Sequence, residues 1–239
     1  VISVPRHEDF SLDIEGIEAA VGVDELPLTQ RPKLIFVASP NNPDGSWLPD
    51  AVLERLLALP LVVVLDEAYV EFAGRERSRI RQVPDRDNLI VLRTFSKLAG
   101  LAGLRVGYGA FPAPLMPHLW KIKQPYNVSV AASTAAIAAL GDLPWLEDKV
   151  ARIIDERARF LTGLASVPYL RPYPSQSNFI LCQVLGRDAA ALKLALEGEG
   201  ILIRYYRTPR LSDHVRFTVG KPEQTDAVLA ALAGLQRHG

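Results

Sequence analysis

The stretch from Lys33 to Asp66 restricts the fold of this chain more than any other part of it. An apolar run, Leu34–Ala38, is followed by a turn-rich stretch, a helical stretch at Asp50–Leu59 and an uninterrupted aliphatic run at Leu61–Leu65. Apolar runs without polar alternation are typical of strands covered on both faces, as in a parallel sheet. The pattern therefore predicts a βαβ unit, and two later runs predict further strands: Leu89–Leu92 and Arg105–Ala110.

The second half of the chain has shorter and more mixed elements. An alanine-rich stretch at Val128–Leu140 predicts a closely packed helix, and residues 144–165 repeat apolar and charged residues at the spacing of a long amphipathic helix. Five further elements are predicted after it: strand Asn178–Val184, helix Ala189–Glu199, strand Ile201–Arg204, strand Val215–Val219 and helix Glu223–Leu235. We predict an α/β fold, with a mainly parallel sheet flanked by helices over 1–145 and a smaller α+β domain over 146–239.

Two reactive side chains follow predicted strands. Asp66 ends the run Leu61–Leu65, and Lys97 lies in a glycine-containing loop after the strand at Leu89–Leu92. An aldehyde cofactor needs an amine to hold it as a Schiff base and an anion to pair with its ring nitrogen. Because open α/β sheets place their ligands at strand ends, Lys97 and Asp66 together predict a pyridoxal phosphate site.

Other groups near these two complete such a site. Thr94, Ser96 and Arg105 supply two hydroxyls and a guanidinium, which suit a phosphate monoester. Asn42, in the turn Asn41-Asn42-Pro43-Asp44-Gly45, and Tyr69 are candidate donors to the phenolate oxygen of the cofactor. Tyr69 fits the role of a packing aromatic equally well.

A local excess of positive charge follows later in the chain. Residues 204–216 contain four arginines and one acid, Asp213, although the whole chain has 27 basic and 27 acidic residues. Arg216, on the strand Val215–Val219, is a candidate for binding the carboxylate or phosphate of an anionic substrate bidentately. The alternative for Arg216 is a solvated residue on an alternating strand.

Several classes of function lack support in the sequence. Balanced charge gives no general reason to expect nucleic acid or an anionic membrane as a partner. The run ending in Asp66-Glu67 resembles the magnesium-binding strand of P-loop nucleotidases, but the phosphate-binding Gly-x-x-x-x-Gly-Lys-Ser/Thr loop is missing. A Gly-x-Ser-x-Gly elbow of serine hydrolases is missing as well.

The metal-binding and redox side chains are few. The histidines show no paired spacing typical of a metal site, and we predict no metal: they are His7, His118, His214 and His238. The single cysteine, Cys182, lies in an apolar segment, which predicts a buried thiol and no internal disulfide. These features, without a signal segment or membrane span, favour the cytoplasm.

The order Asn-Asn-Pro-x-Gly, Asp-x-x-Tyr, Ser-Lys and Arg resembles the fold-type I, pyridoxal-phosphate-dependent aminotransferases. Further strings make the chain similar to the histidinol-phosphate aminotransferase family over essentially its whole length: Phe10-Ser11-Leu12-Asp13, Lys123–Val128, Ser177-Asn178-Phe179 and Val215–Gly220. One departure is Asp44, where the family most often has threonine. Family members also carry an upstream segment with a phosphate-cradling turn and a ring-stacking aromatic, so we expect this chain to lack the N-terminal part.

The resemblance implies roles for the candidate residues. Lys97 would be the Schiff-base lysine and proton shuttle, Asp66 the pyridinium partner, and Asn42 with Tyr69 the phenolate ligands. Phosphate would be bound by Thr94, Ser96 and Arg105, and the anionic group of the substrate by Arg216 and Arg204. Residues 1–145 would form a partial cofactor-binding domain, joined to the small domain by the helix at 144–165.

The implied reaction is transamination between L-histidinol phosphate and 2-oxoglutarate in histidine biosynthesis, by a homodimer. Three alternatives stay open on the sequence alone. Two are related enzymes with the same cofactor, an aromatic aminotransferase or a decarboxylase of phosphorylated amino acids. The third is a non-catalytic, truncated fragment of the fold.

Overall fold

The computed structural model describes residues 1–22, 27 and 29–236. The chain divides into two compact units. The first comprises Val1–Asn41 and Ser46–Leu146, and the second comprises Asn42–Gly45 and Glu147–Gly239. The turn that carries Asn42 therefore groups with the C-terminal residues, although it lies early in the sequence.

The secondary structure alternates between helices and strands in the first unit. The strands are β1 (Leu34–Ala38), β2 (Val62–Asp66), β3 (Leu89–Thr94), β4 (Gly107–Ala110), β5 (Leu170–Pro172), β6 (Phe179–Val184), β7 (Arg204–Tyr205) and β8 (His214–Thr218). The helices are α1 (Ile14–Val21), α2 (Asp50–Leu57), α3 (Phe95–Leu98), α4 (Met116–Ile122), α5 (Val130–Gly141), α6 (Leu143–Ala165), α7 (Ala189–Gly198) and α8 (Pro222–Gln236). Short 3-10 turns occupy Val70–Phe72, Arg75–Arg77, Ile80–Asp85, Ala102–Leu104, Ala113–Leu115 and Pro209–Leu211.

The sheet of the first unit has the order β1-β2-β3-β4. β1, β2 and β3 are parallel, whereas β4 pairs antiparallel with β3. The core of this unit includes α1, α2 and the inner residues of the three parallel strands. Three consecutive residues of β2, Val63, Val64 and Leu65, are buried, so both faces of that strand are covered.

The sheet of the second unit has the order β5-β6-β8-β7, and all its pairings are antiparallel. One face packs on α7, α8 and α6 through a core that includes Phe160, Leu196, Phe217 and Leu232. Cys182 is fully buried in that core as a free thiol, as its apolar neighbours predict. No helix in the described part of the chain is both long and apolar enough to cross a membrane.

The predicted fold class is confirmed: an α/β unit with a mainly parallel sheet and an α+β unit with a small sheet. Three details of the prediction are wrong. β4 is antiparallel, because the connection from β3 contains only the four-residue helix α3 and a short 3-10 turn and so lacks a helix long enough for a parallel crossover. β1 is not covered on both faces, because Leu34 and Phe36 are exposed. The strand expected at Ile201–Arg204 begins only at its last residue.

The displacement of that strand has a local cause. The Ile201 amide donates to the carbonyl of Leu196 at 2.8 Å, and Gly200 has a φ of +76°. Both features belong to a left-handed helix ending, which ties Ile201 to the end of α7 instead of to a sheet.

Candidate active site

Two parallel strands bring the predicted cofactor residues to one edge of the first sheet. Asp66 is the last residue of β2 and Thr94 the last residue of β3, and Asp66 lies opposite Leu92 in the register. Ser96 and Lys97 follow at once in the short helix α3. The carboxyl ends of adjacent parallel strands meet at the same edge, which is where open α/β sheets bind ligands.

A cavity of about 330 Å³ opens at this edge. Its lining contains five of the predicted residues, together with three that sequence reasoning did not select: Asp66, Thr94, Ser96, Lys97 and Arg105, and then Ala68, Leu92 and Arg93. The predicted residues therefore contribute one carboxylate, two hydroxyls, one amine and one guanidinium to a single cavity within the first unit. The catalytic and binding roles given to these residues stay predictions.

Local hydrogen bonds fix the residues that line the cavity. Thr94 Oγ1 accepts from the backbone amide of Ser96 at 3.0 Å and so caps α3. Asp66 Oδ1 accepts from the amide of Ala68 at 2.9 Å, which orients its carboxylate. Arg105 has a φ of +53° and its Nη1 donates to the carbonyl of Ala102 at 3.0 Å. A left-handed arginine is strained by about 1–2 kcal/mol, and such strain is common at functional sites.

Tyr69 lies close to Lys97. The Lys97 Nζ is 5.3 Å from the centroid of the Tyr69 ring, within the range of a cation–π contact. Tyr69 is 9% exposed, so its ring packs against the protein while one side contacts the amine. Tyr69 is therefore both a buried packing residue and a neighbour of the Lys97 amine.

Asn42 belongs to the second unit. Its Oδ1 accepts a hydrogen bond from Arg216 Nη1 at 2.6 Å. The same turn is anchored at its other end, because the carbonyl of Gly45 accepts from the amide of Gln176 at 2.8 Å. Two contacts therefore fix the turn to the small sheet and its preceding loop.

Arg204 and Arg216 lie directly opposite each other on the antiparallel strands β7 and β8. The Arg216 guanidinium packs over the Phe179 ring at 4.5 Å, and that of Arg204 lies 5.5 Å from the Tyr206 ring. Like charges on directly opposed residues are unfavourable unless an anion or a polar partner compensates them. The two arginines predicted to bind the substrate are thus brought together on one sheet.

A buried ionic network beside the cavity was missed at the level of sequence. Arg93 contacts Glu67 at 3.5 Å and also pairs with Glu71, and these side chains are 9%, 0% and 5% exposed, respectively. Burial raises the pKa of Glu67, whereas for Arg93 the effect of burial is outweighed by the carboxylates, so that its pKa is raised. The signal in the sequence was Arg93, a charged residue at the end of the apolar run Leu89–Leu92. Charged side chains are rarely buried without a partner, so such a residue indicates a buried ion pair.

The described residues contain one group with the geometry of a metal site, formed by His7, Asp13 and Glu15. Two of its members have other partners: Asp13 caps α1 by accepting from the amide of Gly16, and Glu15 pairs with Arg55. His238 lies outside the described residues. The expectation of no metal stays a prediction.

The description "Aminotransferase class I and II" belongs to a family model that matches residues 1–232. The chain belongs to this family. It is 54% identical to the chloroplastic histidinol-phosphate aminotransferase of Nicotiana plumbaginifolia over 233 residues, which are 97% of this chain and 55% of the relative. It is 49% identical to the histidinol-phosphate aminotransferase of Roseiflexus castenholzii over 235 residues, 97% of this chain and 61% of the relative.

Solved structures that resemble this chain include histidinol-phosphate aminotransferases as well. The histidinol-phosphate aminotransferase of Sinorhizobium meliloti in complex with pyridoxal-5'-phosphate matches with a TM-score of 0.83 and 35% identity, over 99% of this chain and 64% of that one. The enzyme of Clostridium acetobutylicum matches with a TM-score of 0.86 and 25% identity, over 97% and 70% of the two chains. The chain spans somewhat more than half the length of the curated relatives quoted above.

Proposed function

We propose that this protein is a pyridoxal-phosphate-dependent aminotransferase that exchanges the amino group of L-histidinol phosphate with 2-oxoglutarate in histidine biosynthesis. One observation carries the proposal: Lys97 and Asp66 line the same cavity as Thr94, Ser96 and Arg105. Relatives at 49% and 54% identity that are named histidinol-phosphate aminotransferase support the choice of substrate. These relatives do not favour the alternative enzymes or the non-catalytic fragment.

The chemistry of the cavity suits the cofactor. Lys97 would hold the aldehyde carbon through its amine, Asp66 would pair with the protonated ring nitrogen, and the phosphate would be held by Thr94, Ser96 and Arg105. When bound, pyridoxal phosphate supplies an electron sink for the carbon that loses its proton. A carboxylate already oriented by the amide of Ala68 needs little rearrangement to meet a ring nitrogen.

The side chains of the chain itself would then do three things. Lys97 would move the proton of the reacting carbon, since it supplies the amine among the cavity's side chains. The Tyr69 ring, 5.3 Å from Nζ, would limit the positions that the Lys97 amine can take. Arg105, fixed by its backbone and by its hydrogen bond to the Ala102 carbonyl, would contribute its guanidinium to binding of the phosphate.

Recognition of the substrate anion is assigned to the C-terminal unit. Arg204 and Arg216 face each other across β7 and β8, so an anion that bridges them relieves their repulsion. Arg216 is already held by Asn42 and by the Phe179 ring, which lowers the entropy lost on binding. A phosphate or a carboxylate fits this arrangement equally, as both substrates of the proposed reaction require.

Reductive trapping tests the cofactor part of the proposal. The protein is mixed with pyridoxal phosphate, reduced with borohydride and digested, and the modified peptide is identified by mass spectrometry. We expect the modification on Lys97, its loss in Lys97→Ala, and its retention in Lys121→Ala, a control at an exposed lysine of the same unit. Equal trapping in Lys97→Ala and the wild type would contradict the assignment.

A coupled assay tests the substrate. Formation of glutamate from 2-oxoglutarate is followed with L-histidinol phosphate, and then with an aromatic amino acid as the competing donor. We expect a higher kcat/KM for the phosphorylated donor, and Arg216→Gln should raise KM for both anionic substrates. A preference for the aromatic donor would favour the aromatic aminotransferase instead.

Two further parts of the proposal concern the assembly and its location. A homodimer is proposed from the family resemblance, and light scattering on the purified protein measures it directly. A cytoplasmic location is proposed because a lone free thiol, Cys182, suits a reducing compartment. The relative from Nicotiana plumbaginifolia is described as chloroplastic, so cell fractionation is the deciding measurement.

A further inference from the structure

A buried ionic network connects β2, β3 and the segment that follows β2. Arg93 is its centre: Nη1 lies 3.5 Å from Glu67 Oε2 and 3.2 Å from Ser78 Oγ, and Nη2 pairs with Glu71. Glu67 is also bound by Ser78 Oγ and by the amide of Arg79, each at 2.6 Å. Every oxygen of Glu67 therefore has a donor, although the side chain is fully buried.

The position of this network relative to the cavity is specific. Glu67 directly follows Asp66, Glu71 lies two residues after Tyr69, and Arg93 directly precedes Thr94. The amide of Glu67 also donates to the carbonyl of Leu92 at 2.9 Å, next to Arg93. One guanidinium thus joins the neighbours of three predicted cofactor ligands, which lie at the end of β2, in the segment after it and at the end of β3.

Stability alone does not account for such a network. A buried ion pair is roughly neutral for stability when compared with apolar residues of similar size, because removing the charges from water offsets their attraction. Here two carboxylates share one guanidinium, and burial raises the pKa of Glu67. The network instead fixes the relative positions of its members, because hydrogen bonds are directional and the side chains are buried.

We propose that Arg93, with Glu67 and Glu71, positions the cofactor ligands by clamping the ends of β2 and β3 to each other and to the segment 66–72. This inference rests on the proposed function for its consequence in catalysis. Although Arg93 is among the residues that line the cavity, its terminal nitrogens are engaged by Glu67, Ser78 and Glu71, so it is a positioning residue that acts through Asp66, Tyr69 and Thr94. Supporting groups around metal ligands change affinity by about 10–100-fold when removed, and the lower part of that range is the expectation here.

Three variants test the clamp. Arg93→Gln removes the charge, Arg93→Lys keeps the charge but not the forked geometry, and Glu71→Gln is a milder change that keeps the size of the side chain. Arg86→Gln is the control, because Arg86 forms a surface pair with Glu54 in the same unit. Far-UV circular dichroism establishes that each variant is folded.

The first readout is the visible imine absorbance during titration with pyridoxal phosphate. We expect the apparent Kd to rise about tenfold in Arg93→Gln, to rise less in Glu71→Gln, to recover in part in Arg93→Lys, and to stay at the wild-type value in Arg86→Gln. A simple loss of packing would not be rescued by lysine. Wild-type affinity in folded Arg93→Gln and Glu71→Gln would overturn the inference and leave the proposed function standing.

The second readout needs no cofactor. Hydrogen exchange followed by mass spectrometry should become faster in segments 66–72 and 93–97 of Arg93→Gln or Glu71→Gln, and stay unchanged in β1. If the wild type forms no imine at all, the proposed function fails while exchange still decides on the clamp. Unchanged exchange in both segments would refute it.

Discussion

Substitution of Gly45 by alanine gives a sharp test of how the Asn42 turn is held. Gly45 has a φ of +77°, and a Cβ added there would lie 2.1 Å from Ser175 Oγ, 2.7 Å from Ser175 Cβ and 3.0 Å from Ser175 Cα. Rotation of the serine side chain does not relieve the overlap, since two of these atoms are fixed by the backbone. Such rotation would also lose the hydrogen bond that Ser175 Oγ accepts from the amide of Ser177.

The expected loss is the sum of two terms. A left-handed alanine costs about 1–2 kcal/mol relative to glycine, and overpacking at a tight site costs about 1–3 kcal/mol. Gly45→Ala should therefore lower the free energy of unfolding by about 2–5 kcal/mol. The matched control is Gly200→Ala in the same unit, where φ is +76° and no atom lies within 4 Å of the added Cβ.

The assay is urea denaturation followed by far-UV circular dichroism, with the midpoint and slope fitted for each variant. Gly200→Ala isolates the backbone term and should cost about 1–2 kcal/mol. The difference between the two variants then measures the contact with Ser175. Equal losses in the two variants would refute the reasoning, because they would show that the turn does not rest against Ser175.

Three other predictions use the same unit. Leu196→Ala should lower the free energy of unfolding by about 2–5 kcal/mol, because Leu196 is fully buried; Leu194→Ala, 62% exposed on the same helix, should change it by less than about 0.5 kcal/mol in the same denaturation experiment. The Cys182 thiol should react with a thiol reagent only after unfolding, since burial raises its pKa and excludes the reagent; rapid labelling of the native protein would disprove this. Burial lowers the pKa of His214 below its ordinary value of 6.5 despite the nearby Asp213. As the pH drops below 6.5 the unfolded chain therefore binds the proton before the folded protein does, and the free energy of unfolding should fall. His214→Gln should flatten that part of the plot of stability against pH, and an unchanged slope would contradict the assignment to His214.

The sequence predicted the fold well wherever a segment carried a long, regular pattern. The run before Asp66 and the alternation of apolar and charged residues in 144–165 correspond to β2 and α6. Prediction was poorer where a connection or a helix ending decides the element. β4 follows a connection without a long helix, and β7 begins late because the left-handed ending of α7 at Gly200 holds Ile201.

The candidate site shows the same division. The order of Asp66, Thr94, Ser96, Lys97 and Arg105 along the chain, and their positions after apolar strands, were enough to predict that they meet, because parallel strands end at a common edge. Their meeting in one cavity is the outcome. The network of Arg93, Glu67 and Glu71 was not predicted, since partners separated by more than twenty residues leave no spacing signal.

The sequence by itself determined the types of reactive group, the apolar runs that form the strands, and hence which end of the sheet carries the polar residues. Only the tertiary structure decided which charges pair, that Arg204 faces Arg216, and that the Asn42 turn is held by Arg216 and the loop at Gln176. The physical reason is the separation along the sequence of the groups that interact. Strand and helix formation follow from neighbours along the chain, whereas ion pairs and docked turns depend on groups that meet only after the chain has folded.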